Sequence, residues 1–202
     1  MSKAQQGGEF SFLAPAGYYI ALRVGFAFPI AEHNALPKGW IERYTQQGFM
    51  PYDPVMRWLY ENSGTIRWSE IDLPDPRRVM AQARRHGLTY GVAISCAPTG
   101  PEGQRSFGSF ARSDREFESD EIAVLQAKLR RLHEATAPPT NLTRAELEAL
   151  SMVRDGLLLK EIAVRLSVTE GAIKQRLKNA KAKLGAKTSS QAVSAAVGYG
   201  LI

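Results

Sequence analysis

The stretch "KEIAVRLSVTEGAIKQRLKNAKAKLG", residues 160–185, decides how one end of this chain folds. Two segments of helical period flank "SVT" (167–169), which is long enough only for a tight turn. In the second segment Ile173, Leu177, Ala180 and Leu184 recur at i, i+4, i+7 and i+11, so one face is apolar and needs a neighbour to cover it. Thr169 stands at an N-cap position and Gly185 where a helix stops. Gly171, Lys174, Gln175 and Lys178 fall on the opposite face, with Arg176, Lys181 and Lys183 on the flanks. Five cations there meet a single acid, Glu170. A solvated face on an ordinary bundle would explain the charge, but turn, caps and charge together read as a helix-turn-helix. Lys174 and Gln175 suit base edges in a major groove, and Arg176 and Lys178 suit phosphates. Thr169 and the free N–H groups at the helix start can hold a phosphate too. Lys160 completes the set of candidate DNA contacts.

Upstream, "LTRAELEAL" opens a helix with Thr143 and Glu146 in capping-box spacing and Leu142 and Leu147 as a staple; Gly156 ends it. Downstream, "SQAVSAAVGYGLI" closes a four-helix set. The stretch "EATAPPTN" (134–141) has two prolines and no large apolar side chain, as a linker does. The expected division is a sensor domain over 1–134, a linker over 135–141 and a helix-turn-helix domain over 142–202. Charge divides similarly. Residues 143–202 carry ten Lys and Arg against five Asp and Glu, and the remainder sixteen against fifteen, so most of the net +6 sits in the last module. A compact basic module suits phosphate.

Of the 202 residues 44% are hydrophobic and 23% charged, ordinary for a folded protein. The longest apolar run, "VGFAFPIA", falls far short of the ~20 residues that span a bilayer. "MSKAQQGGEF" lacks the apolar core of a secretion signal, and a single Cys96 makes no internal disulfide, so a reducing cytoplasm is expected. Cys96 lies in an apolar strand-like run, as a buried structural thiol does. His33, His86 and His133 are scattered with no zinc spacing, and no phosphate loop or dinucleotide fingerprint is present. Neither a metal or cofactor nor an enzyme is expected.

The first domain mixes periods. "GYYIALRV" (17–24) reads as a strand, "PKGWIERYTQQG" (37–48) as a helix, and "DPVMRWLYENSG" (53–64) as a helix capped by Asp53 with Pro54 first. "TIRWSEI" reads as a short strand and "DPRRVMAQARRHG" (75–87) as a helix. "TYGVAISCA" (89–97) and "RSFGSFARS" (105–113) form a hairpin about "PTGPEGQ", and "SDEIAVLQAKLRRLHEA" (119–135) is a long helix capped by Ser119. The expected class is α+β: an N-terminal α/β/α sandwich around an antiparallel sheet, plus an all-α four-helix domain.

The last 60 residues resemble the LuxR-type DNA-binding domain, shared with NarL-type response regulators, on Glu146, Leu150, Gly156 and the stretch 160–185. The resemblance implies double-stranded DNA with an inverted-repeat site and a homodimer paired in part through the fourth helix, with RNA polymerase as a further partner. Gly171 and Ala172 depart from that pattern, where relatives carry larger or hydroxyl-bearing residues, and Gly171 weakens the helix start by up to ~1 kcal/mol relative to Ala. A phosphorylated receiver would need alternating β and α segments, which residues 1–134 lack, and Asp53 directly precedes Pro54 at a helix start.

The first domain instead resembles the acyl-homoserine-lactone-binding domain of quorum-sensing LuxR-type regulators. Trp40, Tyr44, Asp53-Pro54 and Trp68 follow that family's order and spacing, Gly91 matches the glycine of a later strand, and "FGSFARSD" its last strand. By that resemblance Asp53 accepts a lactone's amide N–H, Trp40 donates to the lactone carbonyl, Tyr44 and Ser109 serve the acyl-side carbonyl, and Trp68 walls the ring. A charge-assisted bond of this kind is worth ~1.5–3 kcal/mol. Each side chain also fits a plainer role: Trp40 and Tyr44 as core rings, Asp53 as a cap, Trp68 as a sheet-packing residue and Ser109 as a small residue beneath a helix. The family's helical segment ahead of the first strand has little room in the sixteen residues here, and "MSKAQQGG" is expected to be disordered. Leu36 replaces a frequent Tyr, and Trp58 is bulky enough to fill space that a long tail needs. The alternative is a ligand-independent regulator or dimerisation partner that binds no lactone.

Overall fold

The computed structural model describes residues 10–25, 29–96 and 104–202. The expectation for "MSKAQQGG", and all of "PTGPEGQ" except Gln104, lie outside these residues. The described residues form two compact units: the first holds those up to Val24 and Ala31–Thr136, and the second holds Ala137–Ile202 together with Gly25, Pro29 and Ile30.

The first unit is built on a five-stranded antiparallel sheet, ordered β2-β1-β5-β4-β3. Its strands are β1 (Gly17–Val24), β2 (Pro29–Asn34), β3 (Gly64–Arg67), β4 (Tyr90–Cys96) and β5 (Arg105–Arg112). The helices are α1 (Lys38–Gln46), α2 (Pro54–Glu61), α3 (Val79–Arg84) and α4 (Ser119–Ala135). Cross-strand register explains what each face can do. Tyr18, Phe110 and Val92 lie in one row and Ile20, Gly108 and Ile94 in the next. With Phe10, Leu22, Phe117 and the α4 residues Leu125 and Leu129 they form a filled core. Fully burying a ring such as Phe110 contributes ~1.5–3 kcal/mol. The opposite face carries the rows Gly17, Ala111, Gly91 and Tyr19, Ser109, Ala93. Small side chains there leave space between the sheet and α1, α2 and α3.

Several boundaries differ from the sequence expectation. Strand β2 was not foreseen; it is a six-residue edge strand whose second half, Glu32, His33 and Asn34, is polar. The helix from Asp53 stops at Glu61, because Asn62 turns extended and Gly64 opens β3. Trp68 lies in a 3-10 turn, Trp68–Glu70, after β3 rather than in a strand. The helix expected over 75–87 begins only at Val79. Asp75 accepts from the Val79 and Met80 N–H groups at 2.7 and 3.0 Å, and Arg78 adopts a left-handed φ of 53° that breaks the helix before it. Ser119 is the first residue of α4 rather than its cap; the cap is Glu118, whose N–H donates to Glu121 at 2.8 Å. Cys96 ends β4, partly buried against the filled core, and burial raises its thiol.

The second unit consists of α5 (Arg144–Arg154), α6 (Leu159–Arg165), α7 (Glu170–Lys183) and α8 (Ser189–Gly198). Thr143 and Glu146 close the expected capping box: Thr143 N–H donates to Glu146 at 2.7 Å and Glu146 N–H to Thr143 Oγ1 at 3.3 Å. Leu150, Ile162, Ile173, Leu177, Ala180, Ala192 and Ala196 make the core, so the apolar face of α7 is covered as its periodicity requires. Glu146, also buried, accepts two bonds from Lys183 Nζ at 2.9 and 2.8 Å, which ties α5 to the end of α7.

Candidate functional site

Between the small-residue face of the sheet and α1–α3 lies a cavity of about 230 Å³. Trp40, Tyr44, Asp53, Trp68 and Ser109 all line it, although they come from four separate stretches of chain. Trp40 and Tyr44 sit one turn apart on α1, rings 5.4 Å apart edge to face, and both also contact Phe49. Ser109 projects from the middle of β5 between Tyr19 and Ala93. Trp68 lies flat over Gly91: a Cβ there would collide with the indole ring, so only glycine lets the ring rest against the sheet. Apolar walls come from Val55, Met56, Val79, Met80 and Leu88.

Asp53 carries two duties. Its Oδ1 accepts from Val55 N–H at 2.9 Å and caps α2, while Oδ2 accepts from the Tyr44 hydroxyl at 2.9 Å. It is 8% exposed. Burial raises its carboxyl above the usual range, and the bonds from Tyr44, Val55 and Met56 only partly offset that. Burial and the neighbouring Asp53 charge push the Tyr44 phenol far up, so its proton stays on and is donated to Asp53. Each carboxylate oxygen has a second acceptor position, so Asp53 can take one more donor. Among the described residues, no hydrogen bond engages the Trp40 indole N–H or the Ser109 hydroxyl.

Leu36 lines the cavity, as the sequence comparison with a frequent Tyr suggested, but Trp58 does not. Trp58 packs with Leu59 and Phe107 in a neighbouring cluster and takes no space from the cavity. Tyr19, Asn34 and Met50 were not foreseen as lining residues. Tyr19 is in principle visible from strand alternation, since it shares a face with Ala21. Asn34 is the last residue of an unforeseen strand and carried no signal. Burial and Glu32 push the Tyr19 phenol up to about 12.

Folding also joins Ser106 and His133, with Oγ and Nδ1 2.7 Å apart. Ser106 is fully buried and accepts from Arg23 N–H, and Arg23 donates two bonds to the His133 carbonyl. These bonds tie β1 and β5 to the end of α4.

On the second unit Lys160, Thr169, Lys174, Gln175 and Lys178 are exposed and Arg176 is half-buried. Thr169 Oγ1 accepts from Ala172 N–H at 3.1 Å, which caps α7. Gln175 Nε2 donates to Asn179 at 2.8 Å, one turn on, so its amide is held along the exposed face. Among the described residues, no helix is long and apolar enough to cross a membrane.

The chain matches the autoinducer-binding domain family over residues 23–136, and the luxR family of bacterial regulatory proteins over residues 140–196. It is 28% identical to the quorum-sensing regulator RhlR of Pseudomonas aeruginosa, across 92% of this chain and 82% of that protein. It is 29% identical to the transcriptional activator VanR of Vibrio anguillarum, across 82% of this chain and 75% of that protein. Among solved structures, SdiA of Escherichia coli is similar over all of this chain and 93% of its own, with a TM-score of 0.57 and 27% identity. A second SdiA structure, in complex with octanoyl-rac-glycerol, gives a TM-score of 0.56 and 25% identity.

Proposed function

We propose a function from one premise: this chain belongs to the LuxR family of transcriptional regulators, with an autoinducer-binding domain followed by a helix-turn-helix domain. That family comprises transcription factors rather than enzymes, and its two domains take DNA and a small autoinducer. The finer reading is that the autoinducer of this chain is an N-acyl-homoserine lactone held in the cavity of the first unit. The observation that supports it is the convergence of Trp40, Tyr44, Asp53, Trp68 and Ser109 on one apolar hollow.

The chemistry balances donor against acceptor. The guest's amide N–H replaces the Tyr44 hydroxyl at Asp53, and the freed hydroxyl, with Ser109, serves the acyl carbonyl. Trp40 donates its indole N–H to the lactone carbonyl and Trp68 covers the ring. The acyl tail lies along Val55, Met56 and Leu88, each buried methylene contributing ~0.8 kcal/mol. Occupancy orders the first unit and shifts the population of a DNA-competent homodimer. In that dimer Lys160, Thr169, Lys174, Gln175, Arg176 and Lys178 meet an inverted-repeat site, with RNA polymerase as a further partner. The family members SdiA and RhlR set the precedent only as relatives, SdiA having been seen with an acylglycerol.

The test is to purify the protein from a host that makes acyl-homoserine lactones and to identify what co-purifies by mass spectrometry. A stoichiometric lactone in the wild-type protein, absent from Asp53→Asn, is the expected result. Protein without lactone, and with the same operator affinity whether or not lactone is supplied, would leave the ligand-independent regulator as the better description.

A further inference from the structure

A second cavity of about 320 Å³ lies in the first unit. Trp68 and Met80 line both it and the first cavity, so these two side chains form the partition between them. Its other walls are polar, with Ser69, Arg84, Thr89 and Glu116 among them. Two of its lining side chains are also chemically incomplete. The Trp68 Nε1–H and the Glu116 Oε2 are buried, and neither has a hydrogen-bond partner among the described residues. A buried donor or acceptor without a partner costs ~1–3 kcal/mol, and more when charged. Two of them, on one cavity that adjoins the candidate guest site, call for a ligand group to complete them.

The unmet groups are of opposite kind. The indole can only donate and the carboxylate oxygen can only accept. A hydroxyl does both, accepting through oxygen and donating its proton. A lactone offers two acceptor oxygens and no donor, so it cannot satisfy Glu116. The partition is also adjustable. Trp68 is fixed against Gly91, but Met80 is unbranched and has three rotatable bonds beyond a backbone anchored to Asp75.

We propose that the second cavity is a head-group subsite of the guest site, and that it recognises N-acyl compounds whose head carries hydroxyl groups. The tail and amide occupy the first cavity, and the hydroxylated head passes Met80 to reach Trp68 Nε1–H and Glu116. This inference rests on the assignment of the first cavity as the acyl-guest site. It adds that the head is read by chemistry that a lactone alone leaves unused.

Two probes with the same tail and amide separate the ideas: N-octanoyl-homoserine lactone and N-octanoyl-serinol, whose head is an open diol. Affinities of the purified full chain for both are measured by titration calorimetry, in wild type, Glu116→Leu and Trp68→Phe. Serinol amide binding should fall about ten-fold or more in Glu116→Leu, as expected for loss of a hydrogen bond to a charged group, while lactone binding changes less than about two-fold. Trp68→Phe keeps a ring over Gly91 and removes the N–H, so the ratio of serinol-amide to lactone affinity should fall in the same direction. Glu116→Leu should also melt no lower than wild type without guest, because it removes an unpaired buried oxygen. Lactone binding without serinol-amide binding, or equal losses for both guests in both variants, overturns the subsite and leaves the lactone reading standing. Failure of wild type to bind either probe overturns both.

Discussion

Asp53 shows how one side chain sets both stability and response. Its folded carboxyl lies above the ordinary range because of burial, so its contribution to stability is present at low pH and lost as pH rises through the folded value. The charged form of Asp53 is therefore costly in the free protein, and a guest N–H relieves that cost. Asp53→Asn keeps the cap, since Asn serves as well as Asp at that position. The guest-free variant should melt at or above wild type at pH 7, with the advantage shrinking as pH falls towards 4. Its melting point should no longer respond to lactone. A variant that melts far lower at pH 7 would mean that the carboxylate is a structural keystone. Lactone affinity of wild type should likewise weaken as pH drops through the folded Asp53 value, because the proton competes with the guest. Gly91 makes a second, purely steric case. Gly91→Ala drives a methyl into the Trp68 ring and should cost ~1–3 kcal/mol, with loss of guest-induced stabilisation, both readable from melts with and without lactone.

At the scale of single elements, the helical unit was the more legible because its signals are local. The caps at Thr143 and Thr169, the stop at Gly185 and the face of Ile173, Leu177 and Ala180 each follow from a few adjacent residues, and each is found in place. What escaped notice depends on distant partners. β2 is a strand because β1 lies beside it, and α3 is short because Arg78 is left-handed while Asp75 reaches over it. The bond between Glu146 and Lys183, 37 residues apart, was equally invisible. Burial would raise the Glu146 carboxyl, but bonds from Lys183 and Thr143 outweigh it and hold the group below the usual range. Its stabilisation is therefore present above the ordinary Glu pKa of about 4.3 and is lost as pH falls through the folded value. Glu146→Gln should lower the stability of this unit by ~1–3 kcal/mol at pH 7, less than for a wholly buried pair because Lys183 reaches solvent, with the gap closing in acid. Circular dichroism melts across that pH range give the answer. On α7, exposed Lys178 is proposed to meet a phosphate, so Lys178→Ala should weaken binding similarly on all sequences and reduce the salt slope by about one. A change confined to one base position would make it a base-reading residue instead.

For the whole molecule, the site was legible only through the spacing of residues that meet nowhere in sequence. Trp40, Tyr44, Asp53, Trp68 and Ser109 converge because the sheet carries Gly91, Ala93 and Ala111 on one face and Tyr18, Ile20 and Phe110 on the other. No single residue announces a hollow; the register of small residues across three strands does, and register is fixed only by pairing. The same division of cores governs how a guest acts. The two units bury separate hydrophobic clusters, so a guest enclosed in the first adds stability there by mass action. At one hundred times its dissociation constant it contributes ~2.7 kcal/mol. For a unit of this size that shifts the melting point by roughly 10 °C. Scanning calorimetry of the full chain should then show the sensor transition climb with lactone concentration while the helical transition stays within a degree or two. Asp53→Asn should leave both where they are. A lactone that moves only the helical transition would place the guest outside the cavity. Both transitions moving as one would instead mean that occupancy is felt directly by the DNA-reading unit, without dimer formation in between.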